Sequence, residues 1–228
     1  MDRFDGFADP SCKLFKQLAR KQDKAFFEAH KEEYKSQWEA PLHALLTELR
    51  AALDRAYPDC DLAPPKIFRI HRDVRFSADK SPYKTHIGGC LFVQLGKVSA
   101  METPSPLYVQ IGTETMTAAG MYRMTPPQLA KLRRAIVDDK RGAELEKLLA
   151  KIAKEGFEID RSEALKRVPA GFDPEHPRAD LLKLKGVPIM FPPYERELLG
   201  SRAFFDHLLD RAKRVAPIVR WLTFACAT

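Results

Sequence analysis

Residues 69–84 contain the densest group of side chains that could hold or activate a ligand. The stretch reads Arg-Ile-His-Arg-Asp-Val-Arg-Phe-Ser-Ala-Asp-Lys-Ser-Pro-Tyr-Lys. Counted over 66–86, six lysines and arginines face two aspartates, and His71 and His86 could add further positive charge. Like charges repel by about 1 kcal/mol per pair at roughly 4 Å in water and by about 4 kcal/mol at an effective dielectric constant of about 20. The segment therefore needs carboxylate partners, a bound anion or good solvation.

The basic side chains of this segment have the chemistry of a phosphate or carboxylate site. Guanidinium groups bind such oxygens through two parallel hydrogen bonds and stay charged at any working pH. Lysines would add point charges, and a tyrosine would add a hydroxyl group or a stacking face. We expect a pocket for a small phosphorylated or carboxylated ligand. Its candidate residues are Arg69, Arg72, Arg75, Lys80, Tyr83 and Lys84.

Three other interpretations of the segment stay open. Asp73 or Asp79 could act as a general base in an enzyme, but the sequence does not separate a base from an ion-pair partner. The same aspartates could instead form an internal ion-pair network with two arginines, and removing Arg72 from a buried pair would cost about 3–5 kcal/mol. A nucleic-acid-binding surface is the third, with bases stacked on interleaved aromatic rings. The aromatic candidates are Phe68, Phe76, Tyr83 and Phe172.

A second basic segment carries Lys166, Arg167 and His176 among turn-forming residues. Both basic segments are polar and irregular in a chain of modest length. We therefore hypothesise that the second segment folds against the first and adds Arg167 to the anion pocket. The alternative is that it forms a surface loop.

No standard catalytic or cofactor motif accompanies these segments. His71 and Asp73 could place two metal ligands on one strand face, but zinc and calcium spacings are missing and the arginines would repel a cation. Neither the nucleophile elbow nor a glycine-rich phosphate loop is found in the sequence. We expect no metal site and no cofactor, and the sequence leaves open whether the protein is an enzyme.

The composition is that of an ordinary globular protein. The chain has 228 residues, 45% of them hydrophobic and 30% charged, with a formal net charge of +7. A basic balance favours anionic partners. The four cysteines, Cys12, Cys60, Cys90 and Cys226, are isolated and are predicted to be reduced thiols. Because no secretory signal and no apolar run of about 20 residues is found, we expect a cytoplasmic protein with no membrane partner.

Hydrophobic spacing predicts a single α+β domain over 1–228, with a small antiparallel sheet packed by several helices, mainly on one face. The predicted parts are helices over 11–57, the sheet over 66–122 and helices over 125–226, with an irregular stretch at 165–194. If 67–76 is extended, Phe68, Ile70, Val74 and Phe76 share the core face, while the intervening Arg69, His71, Asp73 and Arg75 share the other. Residues 107–111 and 116–121 are predicted to form a hairpin, and Thr125 to begin a helix.

The basic segment also resembles the signature of a widespread bacterial family of unknown function. The resemblance lies in Arg69-x-x-Arg72-Asp73-x-Arg75-Phe76-x-x-Asp79-Lys80-x-Pro82-Tyr83-Lys84. Further similar motifs are Phe4-x-Gly6-Phe7, Ala119-Gly120-Met121-Tyr122, residues 165–172, His176-Pro177 and residues 181–185. The resemblance implies a single-domain cytoplasmic protein, and it assigns no substrate, cofactor or catalytic residue.

Overall fold

The computed structural model describes residues 3–75, 78–95 and 102–227, with side chains described up to residue 225. The N-terminal part is helical, as the apolar spacing predicts. Its helices are α1 (Lys13–Arg20), α2 (Lys24–Ala29), α3 (Lys31–Tyr34) and α4 (Ala40–Leu53), with a π-helical turn at Lys35–Glu39 and a 3-10 turn at Asp54–Ala56. Pro41 lies in the first turn of α4, directly after the π-helical turn, and the helical backbone continues through this point. The stripe from Trp38 to Leu53 is completely buried.

Eight strands are found in the described residues. They are β1 (Asp61–Leu62), β2 (Lys66–Phe68), β3 (His86–Leu91), β4 (Val93–Gln94), β5 (Ser105–Gly112), β6 (Met116–Met121), β7 (Glu158–Ile159) and β8 (Val187–Met190). β1 and β4 form a small separate pair, and the other six form one sheet in the order β2-β3-β5-β6-β8-β7. Every neighbouring pair is antiparallel. The predicted hairpin is β5 and β6, with Tyr108 opposite Ala118.

The C-terminal part contributes four helices to the described structure. They are α5 (Pro126–Val137), α6 (Asp139–Ala153), α7 (Ala179–Leu182) and α8 (Ala203–Ala227), with a 3-10 turn at Arg196–Gly200. α5 begins as predicted, and the Gln128 side-chain oxygen accepts a hydrogen bond from the Thr125 amide at 2.9 Å. The predicted α+β class is therefore confirmed. The stretch 165–194 is less irregular than expected, since it contains α7 and β8.

The two faces of the six-stranded sheet differ in which elements pack against them. α4 and α8 pack against one face, where Ile87, Val109 and Ile189 are buried in the main core. Alternate side chains point to the other face. That open face carries Cys90, Tyr108, Ala118 and Met190, which line a pocket described below. The expectation that helices cover mainly one face is met.

The N-terminal residues pack against this core and are hydrogen-bonded to it. Phe4 and Phe7 are buried, and the Phe7 ring stacks on Trp38 with 5.5 Å between centroids. Arg202 of α8 donates hydrogen bonds to the Glu48 carboxylate at 2.7 Å and to the Phe4 carbonyl at 2.9 Å. Gly6 has a φ of 125°, and a Cβ there would lie 2.4 Å from the backbone carbon of Gly200. The close approach requires glycine at this position.

Candidate functional site

The basic motif forms an irregular extension of the β2–β3 hairpin. Its two sides are joined by hydrogen bonds from the Arg72 amide to the Pro82 carbonyl and from the Lys84 amide to the Ile70 carbonyl, both 2.8 Å long. His71 and Tyr83 form an isolated bridge between them. Ile70 is buried in the main core, while its neighbours Arg69 and His71 are exposed, as predicted. The prediction that Phe68 shares the core face with Ile70 is wrong, because Phe68 lies on the other face of the sheet, beside Tyr108. The predicted core position Phe76 lies outside the described residues.

Part of the motif is an ion-pair network. Asp73 accepts two hydrogen bonds from the Arg75 guanidinium, at 2.9 and 2.7 Å. Arg72 pairs with Asp79, whose carboxylate also accepts from the amide and hydroxyl of Ser81 at 2.9 and 2.6 Å. The Lys80 ammonium donates to the Val74 carbonyl at 2.9 Å. These contacts order the loop, and they occupy three of the basic side chains that the sequence suggested for an anion.

Both aspartates of the motif have a pKa below that of an ordinary aspartate. The hydrogen bond from the Arg75 side chain lowers the pKa of Asp73 to about 2. The hydrogen bonds from Ser81, followed by that from Arg72, lower the pKa of Asp79 to about 2. A carboxylate with so low a pKa accepts a proton poorly near neutral pH. We therefore give neither aspartate a catalytic role.

The remaining basic side chains form a cluster without a carboxylate of their own, which we call the cation cluster: Arg69, Lys84 and His86, with Arg72 beside them. Among the described residues, the side chains of Arg69 and Lys84 make no hydrogen bond or ion pair. The pKa of Lys84 is lowered by burial and by the charge of Arg69. Burial, Lys84 and Arg72 lower the pKa of His86 to about 4. These pKa changes indicate that Arg69 lies close to Lys84, and that Lys84 and Arg72 lie close to His86.

Tyr83 packs in the core, although its hydroxyl group and ring were candidates for ligand contact. The side chain is only 4% exposed, and its ring stacks on Phe27 with 4.7 Å between centroids. The Tyr83 amide donates to the Gln22 side chain at 3.1 Å. Tyr83 therefore attaches the motif to α2 and the preceding loop, and we do not include it in the candidate site.

Arg167 lies away from the motif. The motif connects the end of β2 with the start of β3, at one edge of the sheet and beside Gly112 at the end of β5. The segment of Arg167 follows β7 at the other edge, and its Leu165 amide bonds to the Lys183 carbonyl shortly before β8 begins. β8 begins opposite Met121, at the end of the strands distant from the motif. The two basic segments thus occupy diagonally opposite corners, and the structure does not bring Arg167 into the cation cluster.

A pocket of about 420 Å³ lies on the open face of the sheet, and the sequence analysis missed it. Its floor is made of small side chains on neighbouring strands, and its walls are larger and mostly apolar. The floor includes Cys90, Ser105, Ala118 and Gly120, and the walls include Phe68, Phe92, Tyr108, Met116 and Met190. Small residues at alternate positions of β3 and β6 were the available signal. The sequence did not predict β8, whose Pro188 and Met190 complete the pocket, so the small residues alone did not indicate a pocket.

Cys90 is a structural thiol in the floor of this pocket. Its sulfur lies 2.9 Å from the Ser105 hydroxyl oxygen, and burial raises its pKa to about 12. Because the thiolate is the nucleophilic form, Cys90 is unreactive at neutral pH. Cys12 and Cys60 are also free thiols.

Within the described part of the chain, no three His, Cys, Asp or Glu side chains are grouped so that they could hold a metal ion. No helix in that part of the chain is long and apolar enough to cross a membrane.

The comparisons with known proteins identify a family. The model of a family described as a conserved hypothetical protein (DUF2461) matches residues 11–221. The match includes both basic segments and every strand of the sheet. No curated protein and no solved structure matches the chain.

Proposed function

This chain belongs to the DUF2461 family of conserved hypothetical proteins, and we propose that it binds a small phosphate- or carboxylate-bearing ligand at the cation cluster. Arg69 and Lys84 contact the anion directly, and Arg72 adds positive potential beside them, while His86 is uncharged near neutral pH because its pKa is lowered to about 4. Asp73 interacts with Arg69 through space, but no described carboxylate forms an ion pair with Arg69 or Lys84, and the ligand supplies that direct contact.

The observation that carries the proposal is the position of the Lys84 ammonium group. It is half-buried, it lies over an aromatic ring rather than beside a carboxylate, and Arg69 is its charged neighbour. Placing a lysine there is unfavourable in the absence of a counter-charge, because both burial and repulsion oppose its positive form. The attraction of a bound anion offsets both penalties, so that the charged form of Lys84 becomes favourable on binding.

Arg72, Arg75 and Lys80 have a structural role. Through their contacts with Asp79, Asp73 and the Val74 carbonyl, they hold the loop in the conformation that presents Arg69 and Lys84. The ion-pair interpretation of the motif therefore applies to Arg72 and Arg75. We further propose that the protein functions in the cytoplasm, where its free cysteines stay reduced, and that its continuous main core forms one domain.

Calorimetric titration with inorganic phosphate, pyrophosphate and malonate at constant ionic strength tests the proposal. We expect saturable binding of at least one of them to the wild type and at least tenfold weaker binding to Lys84→Met and to Arg69→Gln. The matched control is Arg134→Gln, which removes one charge from an exposed position of α5. It should bind as the wild type does.

Two results would contradict the proposal. One is the lack of saturable binding by any of the three anions. The other is an equal loss in Arg134→Gln and Lys84→Met, which would show that only the net charge matters. Tight binding of short oligonucleotides that weakens steeply with salt, while the small anions do not bind, would instead favour the nucleic-acid-binding interpretation.

A further inference from the structure

The cation cluster and the open-face pocket share a wall. Phe68 lines the pocket, and the Lys84 ammonium lies 5.8 Å from the centroid of the same ring. Lys84 therefore stands at the edge of the pocket, with Arg69 as its charged neighbour. A ligand held by Lys84 has an apolar surface next to it.

The pocket extends from this edge across the sheet. Its lining residues come from β2, β3, β5, β6 and β8 in that spatial order. Four steps between neighbouring strands, at about 4.8 Å each, correspond to roughly 19 Å. The volume of about 420 Å³ lies in the range of small-molecule sites. Small floor residues such as Ala118 and Gly120 keep this path open.

The two ends of the pocket differ in the charged groups that lie near them. At the β2 edge, Lys84 and Arg69 have no carboxylate partner in the described structure. At the far end, Arg123 is paired with Glu163 at 3.3 Å, and Asp160 is a negative wall residue. An anionic group is thus favoured at the β2 edge and disfavoured at the far end, while the path between them is mainly apolar.

We propose that the ligand of this protein is an amphipathic anion: a single soluble molecule with a phosphate or carboxylate head at Lys84 and Arg69 and an apolar chain along the open-face pocket. The proposal rests on the proposed function and adds the class of ligand. Phe68 and Tyr108, whose ring centroids lie 6.2 Å apart, cover the first part of the chain. Ala118 and the two methionines Met116 and Met190 contact the part beyond.

Titration with decyl phosphate below its critical micelle concentration tests this inference. Inorganic phosphate represents the head alone, and decyl maltoside represents the chain with a neutral head. We expect decyl phosphate to bind the wild type at least tenfold more tightly than either control, because the chain and the charge each add affinity. Ala118→Phe fills the pocket. The affinity of this variant for decyl phosphate should fall to its affinity for inorganic phosphate, and its affinity for inorganic phosphate should equal that of the wild type.

A second measurement uses the wild type alone, in case Ala118→Phe does not fold. In protein labelled with ¹³C at the methionine methyl groups, decyl phosphate should shift the signals of Met116 and Met190. The signal of Met124, which is buried in the main core and does not line the pocket, should stay in place. Inorganic phosphate should leave all three unchanged.

The outcomes separate the two proposals. If decyl phosphate and inorganic phosphate bind equally and the methionine signals do not move, the amphipathic ligand is wrong while the anion site stands. If decyl maltoside binds as tightly as decyl phosphate, the anionic head adds nothing to binding in the pocket and the amphipathic ligand is wrong, while the anion site is decided separately by the titrations with small anions. If the protein binds vesicles containing an anionic lipid but no monomeric decyl phosphate, the face contacts a membrane surface and the single-molecule pocket is wrong.

Discussion

The Lys84 ammonium lies over the Phe68 ring, 5.8 Å from its centroid, and this pair connects the charged motif with the apolar face of the sheet. A lysine over an aromatic face gains about 0.5–1 kcal/mol at exposed sites. Here burial and Arg69 act against the charge. The positive form of Lys84 is therefore disfavoured in the ligand-free protein.

Replacing Lys84 with methionine should not destabilise the ligand-free protein. Methionine keeps an unbranched apolar chain over Phe68, and it removes a charge whose pKa is lowered by burial and by Arg69. We expect the free energy of unfolding to stay the same or to rise by about 0.2–1 kcal/mol. Urea unfolding at pH 7 without added anions measures it. A fall of more than about 1 kcal/mol would show that Lys84 stabilises the fold, and it would weaken the argument for a ligand.

His86 should make the protein sensitive to mild acid. Its pKa in the folded protein is about 4, against 6.5 for the unperturbed group, because of burial and the positive charges of Lys84 and Arg72. Between these values the unfolded chain binds a proton that the folded chain does not, so stability is present above pH 6.5 and is lost as the pH falls towards 4. After allowance for its partial exposure, we expect His86 to account for on the order of 1–2 kcal/mol of that loss.

Urea unfolding of His86→Gln between pH 7 and 4 tests this acid sensitivity. The variant should lose less stability over the range than the wild type does. His43→Gln, at an exposed position of α4, is the control and should follow the wild type. His207, whose pKa is also lowered, remains in both variants. Identical pH profiles for His86→Gln and the wild type would contradict the prediction.

The pair of Arg72 and Asp79 should contribute little to global stability. Their side chains are 31% and 54% exposed, so we expect Arg72→Ala to cost about 0.2–1 kcal/mol rather than the 3–5 kcal/mol of a buried pair. Asp79→Ala should cost more than Asp79→Asn, because asparagine still accepts from the Ser81 amide. Urea unfolding at low and high salt measures these differences. A loss of 3 kcal/mol or more in Arg72→Ala would restore the buried-network interpretation.

Local signals were sufficient for much of the fold. The β5–β6 hairpin was predictable because Gly112 lies between two short apolar runs, and the start of α5 because Thr125, Pro126 and Gln128 act within one turn. β8 was not predictable in this way. Pro188 makes the segment a poor strand by composition, and its pairing with Gly120 joins residues that are distant in the chain.

The candidate site shows a similar limit. The sequence placed Arg69, Arg72 and Arg75 together, but residue types alone could not tell which arginines the two aspartates would neutralise. That choice depends on the loop geometry, which puts Arg75 on Asp73 and leaves Arg69 beside Lys84. The packing of Tyr83 was not predictable either, since its stacking partner Phe27 comes from a helix more than fifty residues earlier.

The N-terminal segment should be necessary for stability. Phe7 is 2% exposed, stacks on Trp38 and contacts the Phe204 ring of α8. Phe7→Ala would leave a cavity between these rings, and we expect it to lower the free energy of unfolding by about 3–5 kcal/mol. Phe224→Ala is the matched control, because the same change at a side chain that is 43% exposed should cost much less. Equal costs in urea unfolding would mean that residues 4–7 detach from the core in solution.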